Sequence, residues 1–246
     1  MQRRSTMLPI AAVLLAGSAA LYWTHYLIFR DAHHIFIYLL GDVAFVPIEV
    51  LLVVVVIERM LEERDKRAML HKLNMVIGAF FSEIGTRLLG DLTPAVQGKE
   101  QVWEYLALKA GWRRGDFQNA IAFARAFSYQ MDPQRIDLEA LCQLLVTKRE
   151  FMLRLLENPN LLEHERFTDL LWAMFHLAEE LSARESLRDL SDNDLAHLAE
   201  DMRRAYSRLA AAWVAYAQHL QASYPFLFSL MVRTHPLQEH PSAAIA

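Results

Sequence analysis

Two long apolar stretches near the start of the chain constrain its fold more than any other feature. Residues 7–29 carry no formally charged side chain, and residues 35–57 carry only Asp42 and Glu49. Each stretch is longer than the about 20 residues that an α-helix needs to cross the hydrocarbon core of a bilayer. The sequence therefore predicts a hairpin of two transmembrane helices.

The two acidic residues in the second stretch do not overturn this prediction. An acidic residue at the centre of a membrane helix costs about 2.5–3.5 kcal/mol on insertion. The Val, Ile, Leu and Phe side chains of the same stretch each favour insertion by about 0.3–0.6 kcal/mol, which sums to about 5–10 kcal/mol. The balance favours insertion.

The distribution of positive charge predicts the orientation of the hairpin. Arg3 and Arg4 precede the first stretch, and the connection between the stretches carries only Arg30. Basic residues are frequent after the second stretch: Arg59, Arg64, Lys66, Arg67 and Lys72. Because loops rich in Lys and Arg stay in the cytoplasm, both termini are predicted to be cytoplasmic.

A cleavable signal peptide is the alternative for the first stretch. Two arginines, an apolar run and the small residues Ser18, Ala19 and Ala20 fit that pattern. The apolar stretch continues to Phe29, however, which favours a retained helix. The cytoplasmic position of the remaining chain is expected under both interpretations.

The rest of the chain predicts an all-α fold in two further parts. Residues 58–90 continue the second span as a juxtamembrane helix, and residues 91–246 form a cytoplasmic helical bundle after a loop at 90–99. Helices are predicted over 100–110, 116–130, 137–157, 163–184 and 192–223. The apolar stripes of the last two are wide, as in a globular bundle.

Composition limits the classes of function. The net charge of -4 gives no general attraction to nucleic acid. The single cysteine, Cys142, excludes a disulfide within the chain. No phosphate-binding loop, dinucleotide fingerprint, nucleophile elbow or paired-cysteine zinc pattern occurs, so no cofactor, no metal and no enzymatic activity is predicted.

Asp42 and Glu49 are the first candidates for a functional site. Their spacing of seven places them on one helix face, and ionisable residues inside a membrane segment must face protein or water. In an antiparallel hairpin, Tyr22 is level with Asp42 and His25 lies about one turn further out. Three interpretations stay open: hydrogen bonds that fix the register of the hairpin, contact with a partner's membrane helix, and ion or proton chemistry.

The outer turn brings Asp31, His33 and His34 together with His25. Such side chains can bind a transition metal or respond to external pH, but they are more often polar anchors at the level of the lipid headgroups.

Two similar segments occur in the cytoplasmic part, His-Leu-Ala-Glu-Glu from His176 and His-Leu-Ala-Glu-Asp from His197. A His and a Glu three residues apart share a helix face, so the two pairs are candidates for a metal site. Their positions relative to the apolar stripes place them on the polar sides of their helices, together with Asp201. The prediction is two solvated faces.

The apolar segment 224–232 is predicted to close the core of the bundle. The alternative is a contact surface for a partner or the membrane, because an exposed patch this apolar is a liability otherwise.

The chain resembles a family of bacterial inner-membrane proteins of unknown function. The resemblance rests on GDVAFVPIEVLLVVVVIER, KLNMVIGAFFSEIGTRLL, LLENPNLLEHERFTDLLWA and YPFLFSLMVRT. It implies a bacterial source, two membrane helices in the inner (plasma) membrane and a helical cytoplasmic region. No catalytic residue comes with it.

The function predicted from these observations is that of a protein-interaction or regulatory module anchored in the lipid bilayer. It binds a protein partner or a second copy of itself. The alternative is an accessory subunit of a transporter or envelope complex, which contacts its partner through Asp42 and Glu49.

Overall fold

The chain is helical throughout the residues that the computed structural model describes, which are 4–162, 164–238 and 242. No strand occurs in these ranges, and an isolated bridge joins Val96 to Met131. The all-α prediction is confirmed. The chain divides into two compact units, Met1–Lys66 and Arg67–Ala246.

The first unit contains helix α1 (Arg4–Phe29) and the beginning of helix α2 (Ala32–Phe80). A tight connection separates them, in which Arg30 adopts a left-handed backbone with φ 48°. Asp31 then accepts a hydrogen bond from the backbone N–H of His34 at 3.2 Å, which satisfies a free donor in the first turn of α2. The two predicted spans therefore lie on two helices with a short turn between them.

The four-residue spacing of three alanines in α1 predicts close packing against α2, but this packing is not seen. Ala12, Ala16 and Ala20 are exposed. The described contact between the two helices lies near the turn, where side chains of both line a shared cavity of about 390 Å³.

Helix α2 runs to Phe80 without a break and is followed by a single π-helical turn, Phe81–Gly85. This turn leads directly into helix α3 (Thr86–Leu92). A π turn holds one extra residue per hydrogen-bonded ring and rotates the side chains that follow it. Phe80, Phe81 and Ile84 are all buried around the turn.

Among its described residues, the second unit continues with eight further helices. Their bounds are α4 (Lys99–Leu106), α5 (Arg114–Ala126), α6 (Leu138–Thr147), α7 (Arg149–Leu156), α8 (Pro159–Leu162), α9 (Glu165–Ser182), α10 (Asp192–Ser223) and α11 (Pro225–Thr234). The N-terminus of α10 is capped by Ser191, whose hydroxyl accepts from the backbone N–H of Asp194. The helix predicted over 192–223 therefore has the same bounds as α10.

The predicted helix over 137–157 is divided in the structure. Lys148 leaves the helical conformation, with φ -93° and ψ 4°, so α6 ends at Thr147 and α7 begins at Arg149. The β-branched residues Val146 and Thr147 precede the break, and such residues are weak helix formers.

Helix α10 is central to the second unit and packs against α5, α9 and α11. Trp213, Tyr206 and Leu209 of α10 are fully buried. The predicted apolar stripe of α9 is buried as well: Phe167, Leu170, Leu171, Met174, Ala178 and Leu181. The bundle is thus held by a continuous apolar core around α10.

Candidate functional site

Four ionisable side chains from α9 and α10 meet at one point in the second unit. His176 and Glu180 lie one turn apart on α9, and His197 and Asp201 lie one turn apart on α10. Their potential ligand atoms all lie within 4.8 Å of one another. This group is called the His–carboxylate cluster below.

The distances within the His–carboxylate cluster are short between the helices. His176 Nε2 lies 3.3 Å from Asp201 Oδ1, and His197 Nε2 lies 3.4 Å from both Glu180 Oε2 and Asp201 Oδ2. The longest of these pairs joins His176 Nε2 to Glu180 Oε1 at 4.0 Å. Each imidazole therefore faces both carboxylates.

Asp201 is buried, which corrects the prediction that it lies on a solvated face. Its side chain is 2% exposed, whereas those of His176 and His197 are 44% and 53% exposed. A helix that packs against neighbours on several sides can bury part of its polar face, and α10 does so against α9. Within the described part of the chain, Asp201 Oδ2 accepts no hydrogen bond.

Two arginines flank the cluster, and each holds one carboxylate. Arg184 Nη1 donates to Glu180 Oε2 at 3.0 Å, and Arg204 Nη1 donates to Asp201 Oδ1 at 2.9 Å. The hydrogen bond from Arg184, with smaller contributions from His197, lowers the pKa of Glu180. Arg184 therefore favours the charged form of Glu180, and each arginine holds its carboxylate in one orientation.

The cluster uses different acids from those considered in the sequence. The predicted pairs joined each histidine to the Glu three residues later, Glu179 and Glu200. In the structure Glu179 pairs with Arg149 at 3.4 Å, and Glu200 pairs with Arg203. The acids four residues after each histidine are the ones that turn towards the neighbouring helix.

A second feature of this unit is a groove of about 460 Å³ that is lined by apolar side chains and by arginines. Arg125, Arg166 and Arg208 come from three different helices, and Asp169 is the carboxylate among the lining residues. Burial and the nearby charge of Arg166 lower the pKa of Arg125. This groove is called the arginine groove below. Its other lining residues include Asn74, Ile77, Phe167 and Tyr216.

Helix α11 leaves part of its apolar sequence exposed. Phe228 is buried, but Phe226, Leu227 and Leu230 are 71%, 40% and 44% exposed. Leu230 follows Phe226 by four residues and Leu227 by three, so the three side chains share one helix face. The segment 224–232 therefore closes the core only in part.

The structure brings Tyr22 and His25 together in the cavity near the hairpin turn. Ile35 and Tyr38 of α2 line the same cavity, and His25 also contacts the ring of Phe29 at 4.7 Å. Asp42 does not line this cavity.

Asp42 and Glu49 are exposed, and no described residue forms a hydrogen bond or ion pair with either side chain. Register-fixing hydrogen bonds to these acids are therefore not seen in residues 4–66. Their predicted functional role stays a prediction.

At the outer turn, Asp31 and His34 come together and His33 does not join them. Asp31 Oδ2 lies 4.0 Å from His34 Nδ1, and His34 stacks on Tyr38. The described residues of the turn do not form a metal-binding geometry. Asp31 acts instead as the cap of α2.

Comparison with known proteins places the two helical regions in one family. Residues 2–61 match the family described as MJ1433, N-terminal helical domain, and residues 69–233 match that described as Uncharacterized protein MJ1433, C-terminal helical domain. The chain belongs to the MJ1433 family. No solved structure matches it.

One relative in the MJ1433 family comes from the archaeon Methanocaldococcus jannaschii. This protein, Uncharacterized protein MJ1433, is 42% identical over 236 residues, which are 96% of this chain and 95% of the relative. Membership supports the division into two helical regions and carries no assigned activity. Because this relative is archaeal, the bacterial source implied by the resemblance stays a prediction.

Proposed function

We propose that this member of the MJ1433 family is a non-enzymatic interaction module, anchored in a membrane by α1 and α2. The observation that supports it best is the exposure of the apolar helices. Two windows, Ala12–Phe29 and Ala32–Lys66, are long and apolar enough to cross a bilayer, and none of their residues is buried. Large apolar side chains left in water cost about 25 cal/mol for each Å² of surface, which favours a lipid environment.

A soluble core helix and a signal peptide account for these two helices less well than a membrane anchor does. An apolar core helix of a soluble protein is mostly buried, unlike these windows. A secretory signal peptide occupies about the first 15–30 residues, which fits α1 but not α2. Under this proposal, the basic residues that follow the apolar stretch 35–57 within α2 keep the second unit in the cytoplasm of the cell, together with the N-terminus.

The membrane proposal is tested by extraction and by labelling of intact cells. We expect the protein to stay with membranes in alkaline carbonate and to dissolve in detergent. In a Cys142→Ser background, His33→Cys is expected to react with a membrane-impermeant maleimide. The matched control, Ser242→Cys near the other end, is expected to react only after lysis. A protein that is soluble without detergent, or the reverse labelling pattern, would contradict the proposal.

The interaction part of the proposal is supported by the exposed face of α11. Phe226, Leu227 and Leu230 present adjacent apolar side chains to solvent, and surfaces of this kind are typical of protein contacts. The partner is proposed to be a protein, either a second copy of this chain or a different one.

Crosslinking and affinity purification from native membranes test this surface. The double variant Phe226→Ser/Leu230→Ser is expected to lose the partner recovered with the unaltered protein. Trp172→Ser, which removes an exposed aromatic side chain from α9, is the matched control and should retain it. Equal recovery with both variants would exclude α11 as the contact surface.

A regulatory role is supported by the arginine groove. Asn74 and Ile77, which line it, belong to the same helix as the second apolar window, since α2 runs from Ala32 to Phe80. A small anionic ligand bound by the arginines would therefore touch α2. We infer that such a ligand changes the position or stability of α2 and so regulates the module.

The second candidate is an accessory subunit of a membrane complex. It is favoured by Asp42 and Glu49, because acidic side chains within a membrane helix require a polar partner and none is found among the described residues. The variant Asp42→Asn/Glu49→Gln should insert normally but fail to co-purify with its membrane partner. Unchanged co-purification would remove this candidate.

A further inference from the structure

We propose that the His–carboxylate cluster binds one divalent transition-metal ion of the Zn²⁺ type. The ligands are His176 and Glu180 of α9 with His197 and Asp201 of α10. The ion would join the two helices through side chains of both. This site lies within the second unit and is independent of the membrane proposal.

The potential ligand atoms of the cluster, one from each residue, lie within 4.8 Å of one another, so small side-chain movements would bring them around a tetrahedral ion. Zn²⁺ binds nitrogen and oxygen ligands at about 2.0–2.1 Å, so two ligand atoms of a tetrahedron lie about 3.3 Å apart. Of the carboxylate oxygens that no arginine holds, Asp201 Oδ2 lies 3.4 Å from His197 Nε2 and Glu180 Oε1 lies 4.0 Å from His176 Nε2. Rotation of the two side chains would shorten the 4.0 Å distance between His176 Nε2 and Glu180 Oε1.

Asp201 provides an independent indication of a bound cation. Its carboxylate is 2% exposed, and its Oδ2 accepts no hydrogen bond from the described residues. A buried charged oxygen without a hydrogen bond is unfavourable, because the water that it lost is not replaced. Oδ2 lies 3.4 Å from His197 Nε2 without forming a hydrogen bond, so an ion bound by both atoms would supply the interaction that the described residues do not.

The arginines around the cluster form an outer layer that orients the ligands. Arg184 holds Glu180 Oε2 and Arg204 holds Asp201 Oδ1. Each carboxylate therefore keeps one oxygen, Oε1 or Oδ2, that is not held by an arginine. Hydrogen bonds to the second oxygen of a ligating carboxylate are a regular feature of metal sites.

The donor set indicates which ions the site would take. Two imidazoles and two carboxylates suit Zn²⁺ and neighbouring transition metals, whereas Mg²⁺ and Ca²⁺ prefer oxygen ligands alone. Four protein ligands from two helices leave no open position in a tetrahedral site, which is typical of a structural ion. The ion is therefore expected to fasten α9 to α10 and to stabilise the second unit.

The test uses the full chain in detergent, purified without a histidine tag and freed of metal with a chelator. Titration with Co²⁺ is expected to give the visible absorption of a four-coordinate ion with one ion per chain. Zn²⁺ is expected to displace it and to raise the temperature of unfolding. Mg²⁺ at the same concentration should do neither.

Single substitutions locate the site. His176→Ala and His197→Ala remove half-exposed side chains, so both variants are expected to fold, with at least a 100-fold loss of Co²⁺ affinity. Glu179→Gln, at the exposed residue beside Glu180, is the matched control and should bind as the unaltered protein does. Asp201→Asn removes the negative charge with little change in side-chain size, and this variant is expected to lose Co²⁺ binding.

Three results would overturn the proposal. They are the absence of a stoichiometric Co²⁺ complex, unchanged binding by folded His176→Ala or His197→Ala, and loss of binding on substitution of His33 and His34 instead. The measurement needs neither a membrane nor a protein partner. Its failure would therefore leave the proposed function untouched.

Discussion

His235 is a buried titratable residue that directly follows α11. It is 1% exposed, and its ring lies 5.3 Å from the ring of Trp213. Burial lowers the pKa of His235 to about 4, from 6.5 in the unfolded chain, with a smaller opposing contribution from the backbone of Leu108. The folded protein therefore keeps this imidazole neutral across a range in which the unfolded chain binds a proton.

Acidification is expected to destabilise the protein through His235. Above pH 6.5 both states carry a neutral ring and the group has no effect on stability. As the pH falls from 6.5 to 4, proton binding by the unfolded chain lowers the free energy of unfolding by up to about 3 kcal/mol. His235→Phe should lack this part of the pH dependence, which chemical unfolding at pH 7, 5.5 and 4.5 would measure. If the free energy of unfolding depends on pH in the same way in both proteins, His235 is not the source of this pH dependence.

Gly85 is required by the rings around the π turn. A Cβ atom at this position would lie 2.6 Å from ring atoms of both Phe80 and Phe81. Those rings are themselves held, since Phe80 packs edge-on against Phe167 and Phe81 stacks on Tyr216.

Gly85→Ala is therefore expected to lower the free energy of unfolding by about 1–3 kcal/mol, as overpacking of a core usually does. Gly115→Ala in α5 is the matched control, because its Cβ would meet no atom within 4 Å. That variant should be stabilised by about 0.4–1 kcal/mol. Thermal unfolding distinguishes the two, and equal shifts would contradict the role of the rings.

The burial of Asp201 was beyond what the sequence could reveal. The similar segments from His176 and His197 were visible, and so was the apolar stripe of each helix. The stripe defines which side of α10 faces the main core, but it does not say which neighbour covers the other side. Asp201 is buried because α9 packs against that side, and this contact depends on the tertiary fold.

At the scale of helices, prediction succeeded where local signals were strong. Helix α10 has the capping residue Ser191 before it and the pair Tyr224-Pro225 after it, and its limits were predicted correctly. No comparable capping side chain or proline marks the break at Lys148 or the π turn after Phe80. Both are adjustments of a continuous helical pattern to the shape of the core, so periodicity alone does not reveal them.

The arginine groove is an assembly of helices, and its prediction belongs at this scale. Arg125, Arg166 and Arg208 project from α5, α9 and α10, and their like charges make the groove favourable for an anion. Inorganic pyrophosphate is a suitable probe. Arg125→Gln and Arg208→Gln are each expected to weaken its binding by a factor of about 10 to 150, since a charge-assisted hydrogen bond contributes about 1.5–3 kcal/mol.

Calorimetric titration measures this effect, and Arg203→Gln provides the control. Arg203 also lies on α10 but forms an ion pair with Glu200, and it does not line the groove. If all three variants lose affinity equally, pyrophosphate responds only to overall charge.

At the scale of the whole molecule, the position of the boundary between the two units can be tested by truncation. The sequence predicted a bundle that begins at residue 91, whereas the second compact unit begins at Arg67. The side chains described in segment 67–90 include seven buried apolar ones in the core: Leu73, Ile77, Phe80, Phe81, Ile84, Leu88 and Leu89.

A fragment of residues 67–246 is therefore expected to fold alone, and one of residues 91–246 is not. Burying an apolar side chain contributes about 1.5–3 kcal/mol, so loss of the segment removes about 10–20 kcal/mol from a domain whose net stability is about 5–15 kcal/mol. Circular dichroism during thermal unfolding should show a cooperative transition for the longer fragment only. A cooperative transition in the shorter fragment would show that the end of α2 is dispensable. In that case α2 could not pass a signal to the bundle through its packing, and the regulatory part of the proposed function would fail with it.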